Sequence, residues 1–125
     1  MPKCIHIQAG TVSLMAELSD TPTAGAIYAA LPLEASARTW GEEIYFTIPV
    51  AAGLDGTAAE LVAVGDLGYW PTGRAFCIFF GPTPASRGEE IRPASAVNLV
   101  GKVLGDAKAF RAVRDGELVR LEKDS

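Results

Sequence analysis

Gly65-Asp66-Leu67-Gly68-Tyr69-Trp70-Pro71-Thr72-Gly73-Arg74-Ala75-Phe76-Cys77-Ile78-Phe79-Phe80-Gly81-Pro82-Thr83-Pro84 is the stretch that organises this chain. It holds five of the ten aromatic residues, four glycines and three prolines, so core-forming side chains and turn signals are densest at one place. Ala75 to Phe80 is a short apolar run closed by glycines and then Pro82. That pattern predicts a strand buried on both faces. Ahead of it, Tyr69 and Trp70 precede a turn, Pro71-Thr72-Gly73, with Arg74 at its exit. An aromatic pair, a turn and a cation beside a core strand can form one wall of a pocket.

Outward from that stretch, the chain alternates strand and turn signals. Lys3 to Gln8 has period two, with Ile5 and Ile7 on one face and Cys4, His6 and Gln8 on the other. Ala9-Gly10 turns into a second strand, Thr11 to Leu18, whose predicted buried face is Val12, Leu14, Ala16 and Leu18. Asp20-Thr21-Pro22-Thr23 then reads as a helix start and Pro32 as its stop, with Ile27, Ala30 and Leu31 at helical spacing.

Leu33 to Trp40 and Glu42 to Ile48 read as two strands joined at Gly41. The adjacent pair Glu42-Glu43 reads as a solvated edge. Ala51 to Ala58 is a small-residue loop, Glu60 to Val64 a short strand, and Ala85 to Pro93 an exposed polar loop with a brief strand around Ile91. Val97 to Leu104 is a strand in which Gly101 suggests a bulge. Asp106 caps a short helix, Ala107 to Val113, and Glu117 to Glu122 is the last strand. About eight strands, two short helices and turns every eight to twelve residues predict a closed antiparallel β-barrel, residues 1–125 forming one domain.

Composition narrows the partners. A net charge of −4, with 11 basic residues scattered singly, argues against nucleic acid. The longest near-apolar window, Ala24 to Leu33, contains Pro32 and is too short to span a membrane. The N-terminus moves straight into a strand pattern, and Cys4 and Cys77 read as small buried thiols. A cytoplasmic location is the expectation.

Several segments, taken in order, give the chain a resemblance to a reduced cyclophilin. The helix Thr21 to Leu31, Phe46-Thr47-Ile48-Pro49, Phe76-Cys77-Ile78-Phe79 and Val100-Gly101-Lys102-Val103 followed by Gly105-Asp106 stand where cyclophilins have their first helix, Arg-Ile-Ile-Pro, central Phe-Phe-Ile strand and Phe-Gly-Lys-Val strand. Glu43-Ile44-Tyr45-Phe46, Gly65 to Pro71 and Phe79-Phe80-Gly81 are more similar still to small prokaryotic cyclophilin-like proteins of unassigned function. The resemblance implies the cyclophilin-like barrel. It does not carry over the activity. Phe46 stands where cyclophilins place the catalytic Arg, and the single Gln and single His, Gln8 and His6, lie on the first strand. Isomerising an X–Pro bond must lower a barrier of about 18–20 kcal/mol.

The residues singled out for a pocket are Phe46, Tyr69, Trp70, Arg74 and Phe79. No catalytic set, metal site or cofactor is expected, since a lone His supports neither a triad nor a ligand cluster. Three readings follow. The first is a non-catalytic module that binds a small molecule or peptide. The second is a weak peptidyl-prolyl isomerase with Arg74 in place of the missing Arg. The third is a structural subunit that forms a homodimer through the Ala51–Ala58 loop.

Overall fold

The computed structural model describes residues 2–124. These residues fold into ten antiparallel strands, one α-helix and two short 3₁₀ helices, Pro71–Gly73 and Ala107–Ala112. The strands are β1 (Lys3–Ala9), β2 (Val12–Leu18), β3 (Leu33–Ser36), β4 (Arg38–Thr39), β5 (Glu43–Thr47), β6 (Ala58–Ala59), β7 (Asp66–Trp70), β8 (Ala75–Phe79), β9 (Val97–Leu104) and β10 (Leu118–Lys123). Along the sheet they run β3-β10-β1-β2-β9-β7-β8-β5-β4, with β6 paired to β9 off this path.

The expected closed barrel is corrected at one place. Leu33 to Trp40 is not a single strand but two, and these are the two ends of the sheet. β3 pairs with β10 and β4 with β5, so no hydrogen-bonded ladder joins β3 to β4. The chain crosses between them at Ala37, which is buried. Its amide donates to the Glu117 carbonyl (2.8 Å), and its carbonyl accepts from the Gly116 amide (2.7 Å). A single strand cannot bond to both neighbours across that step, so the sheet stays open by hydrogen bonds. The other departure is smaller. Glu60 to Val64 forms only an isolated bridge, Val62 to Ile91, while Ala58–Ala59 is the strand.

The interior face of the sheet forms the main core. Ile5, Ile7, Leu18, Ile44, Leu67, Phe76, Ile78 and Leu121 are fully or almost fully buried there. Helix α1 (Pro22–Ala30) supplies Ile27 to the same core, and the 3₁₀ helix Ala107–Ala112 supplies Phe110. Thr21 caps α1 by accepting from the Ala24 amide, and Pro22 opens the first turn, as the sequence pattern requires. On β1, Cys4 shares the outward face with Gln8 and is exposed, which corrects the reading of it as a buried thiol. On β10 the buried face is Val119 and Leu121, and Leu118 points outward.

β8 is buried along its whole length. Phe76 and Ile78 face the main core, while Ala75, Cys77 and Phe79 join Ile91 and Val97 in a second cluster on the opposite side of the sheet. The segment 81–96 covers that second side. Thr83 anchors it, its hydroxyl donating to the Arg92 carbonyl and its amide to Ser86 Oγ (2.9 Å). The Val62 amide donates to the Ile91 carbonyl (3.0 Å).

A polar clamp ties α1, the 51–57 loop and β9 together. Asn98 is fully buried; its amide donates to Thr23 Oγ1 (3.2 Å) and the Gly53 carbonyl (2.9 Å), and its oxygen accepts from the Asp55 amide (2.9 Å). Asp55 in turn accepts from Thr23 Oγ1 (2.9 Å) and the Thr57 amide (2.8 Å). Asn98→Ala is expected to cost about 1–3 kcal/mol, because it strands buried partners rather than merely removing a contact. Urea unfolding checks this, and a loss under about 0.5 kcal/mol would show that water replaces the side chain.

Candidate functional site

The second side of the sheet holds a cavity of about 190 Å³ lined by Trp40, Glu43, Tyr45, Trp70, Pro93, Ala94 and Val97. Strand alternation explains who reaches it. On β5, Glu43 and Tyr45 take the outer face, while Ile44 and Phe46 take the core. On β7, Trp70 takes the outer face and Tyr69 the core. Trp40 arrives from the β4–β5 turn, where its amide donates to the Glu43 carbonyl (3.0 Å). Pro93 and Ala94 arrive with the covering segment.

Two glycines of the central stretch shape the wall. A Cβ at Gly68 would lie 2.9 Å from Val97 Cγ2 and 3.1 Å from the Phe79 ring, so only glycine lets these side chains close beneath the cavity. A Cβ at Gly73 would lie 2.8 Å from the Trp70 ring, which therefore sits directly on that glycine. The Trp70 indole N–H donates to Ser95 Oγ (2.6 Å), fixing the ring from the other side. The ring is held by packing below and a hydrogen bond at its edge.

Glu43 is the polar feature of the site. Its side chain is nearly removed from water, with the residue only 5% exposed. Burial pushes its carboxyl up to about 7, partly offset by the neighbouring Cys77 thiol. The thiol itself is pushed well above its usual range, by burial first and by the Glu43 charge second. The expected solvated edge does not hold for Glu43, whereas Glu42 is half-buried and pairs with the exposed Arg111 (2.5 Å).

A family model described as Cyclophilin-like matches residues 3–122. The chain belongs to the cyclophilin-like family. Among solved structures, a hypothetical protein of Archaeoglobus fulgidus determined in solution is similar, with 38% sequence identity and a TM-score of 0.82 over 98% of this chain and 95% of that one. No curated protein matches.

In this cyclophilin-like protein the five residues singled out from sequence do not converge. Trp70 alone of them lines the cavity. Phe46, at the position of the cyclophilin Arg, is buried in the core with its ring centroid 5.5 Å from that of Phe76. Tyr69 is fully buried, its hydroxyl donating to the Val50 carbonyl and accepting from the Ala52 amide (3.3 Å). Phe79 packs beneath the cavity in the second cluster. Arg74 is exposed beyond the 3₁₀ turn Pro71–Gly73, in the left-handed region at φ 48°. Sequence reasoning missed Trp40, Glu43 and Tyr45. The alternation of Glu43, Tyr45 and Thr47 against Ile44, Phe46 and Ile48 was the available signal, because it puts a carboxylate and an aromatic ring on one face of a strand paired to the buried β8.

Proposed function

We propose that this cyclophilin-like protein is a binding module whose ligand enters the Trp40–Tyr45–Trp70 cavity. The observation that carries the reading is convergence: both tryptophans of the chain, a tyrosine and a buried carboxylate line one small cavity. Aromatic walls with one fixed polar group are how small ligands are oriented. The lining has a carboxylate but no Arg, Lys or His to donate to a prolyl nitrogen, and Arg74 lies outside it. That composition favours binding over isomerisation.

Because both tryptophans line the cavity, intrinsic fluorescence reports directly on its occupancy. Titration with a diverse small-molecule and peptide library is expected to find ligands that shift the emission, with Trp70→Ala abolishing their binding. A library-wide absence of response would count against the reading. A coupled proline-isomerisation assay is expected to give the same traces with and without the protein. A rate enhancement lost in Arg74→Ala would instead establish the isomerase reading.

A further inference from the structure

The cavity combines two features that are costly apart and complementary together. Three aromatic side chains, Trp40, Tyr45 and Trp70, line it, and Glu43 adds a carboxylate in a residue only 5% exposed. A carboxylate so placed must either hold a proton or acquire a positive partner. Among the described residues, no cation lines the cavity to supply one. Arg38 stands opposite Tyr45 in the β4–β5 pair but is exposed and outside the cavity, and Arg92, next to Pro93, is engaged with Glu90 at 2.8 Å. The titratable groups beside Glu43 are Cys77, whose thiol stays protonated at neutral pH, and Tyr45.

We infer that the cavity binds a small organic cation bearing a methylated ammonium group, with Glu43 as counter-ion and Trp40, Tyr45 and Trp70 as its aromatic wall. The inference rests on the binding reading above and names the class of its ligand. Tryptophan faces attract such cations most strongly among aromatic side chains. The volume of about 190 Å³ lies below the roughly 300–1,000 Å³ of drug-sized pockets, which suits a headgroup rather than a large molecule. Methylation matters for hydrogen bonding. A primary ammonium must aim three donors at separate acceptors, and the lining side chains offer these only from one side, at Glu43 and Tyr45 two residues apart on β5. A trimethylated nitrogen has no donor to leave unpaired, and a dimethylated one has a single N–H that Glu43 accepts.

The decisive experiment titrates choline against its neutral carbon isostere, in which a tert-butyl group replaces the trimethylammonium, on the full chain at pH 8, read by tryptophan fluorescence and calorimetry. Choline is expected to bind at least tenfold more tightly than the isostere. Glu43→Gln is expected to reduce that preference sharply, to what the rings alone supply, and Trp70→Ala to remove both interactions. Choline affinity in the native chain should also rise as pH is raised through 7, with protons released on binding, and this pH response should vanish in Glu43→Gln. A peptide carrying trimethyllysine, run beside choline, tells a side-chain source of the headgroup from a free one; binding of either supports the inference. Equal affinity for choline and the isostere overturns the cation assignment while leaving the binding reading standing. If choline, isostere, peptide and the wider library all fail to bind, both fall. Thermal melts of each variant confirm that loss of binding is not loss of fold.

Discussion

Glu43→Gln stabilises the folded chain at pH 8 by about 3 kcal/mol and changes it little at pH 4. The figure follows from a carboxyl whose folded value, about 7, stands above its ordinary 4.5. At pH 4 both folded and unfolded chains hold the proton, so Glu43 costs nothing. Between 4.5 and 7 the unfolded chain ionises while the folded one does not, and stability falls with each added pH unit. Above 7 both are ionised and the penalty stays constant. Gln is close to Glu in size and has no charge to bury. Urea unfolding of both chains across this range measures the effect. An equal increment at pH 4 and pH 8 would mean that packing, not ionisation, sets the difference. A residue whose charge destabilises the fold, and which nevertheless faces a cavity, has the energetic profile of a functional group rather than a structural one.

Gly101→Ala is expected to be the most damaging single-methyl change in the molecule, costing about 3 kcal/mol or more. Gly101 of β9 lies opposite Leu18 of β2, and its Cβ would fall 2.0 Å from the Glu17 carbonyl oxygen and 3.0 Å from Leu18 Cα. Both are backbone atoms, so relief requires prising two strands apart. The neighbouring bulge compounds this: between the pairs Leu67–Gly101 and Gly68–Leu99, Val100 is left over, and it drops into the main core. Gly25→Ala is the control. It sits inside α1 with nothing within 4 Å of its Cβ, so the same methyl should stabilise by about 0.5–1 kcal/mol through helix propensity. Denaturant midpoints of the two variants should move in opposite directions. A Gly101→Ala protein as stable as the parent would mean that β2 and β9 separate at little cost.

The order of strands along the chain was legible because period-two alternation and turn residues are local. β1, β2, β8 and β9 fall almost where their patterns put them, and β8 carries the continuous apolar run of a strand covered on both faces. Gly101 was legible as a special position, though its reason is the approach of the Glu17 carbonyl and the bulge itself lies at Val100. The open sheet was not legible. Leu33 to Trp40 reads as one strand, and its division at Ala37 depends on Gly116 and Glu117, about 80 residues away.

The site was legible only in part. Tyr69 and Trp70 are adjacent, and adjacent residues of a strand face opposite ways, so they could not share a wall once Asp66–Trp70 was a strand. The same rule separates Glu42 from Glu43. What it cannot supply is which face becomes covered. That depends on segment 81–96 folding across β7 and β8, anchored through Thr83 and Ile91, and on Trp40 turning in from the sheet's end.

By itself, then, the amino-acid order determined the elements and the doubly buried central strand, which rest on spacing and turn chemistry within short windows, and its motifs carried the resemblance to the cyclophilin-like family. Only the tertiary structure decided that Glu43 is buried and that it shares a cavity with Trp40, Tyr45 and Trp70. Burial is a property of what packs over a residue, and here the cover comes from chain about 50 residues distant.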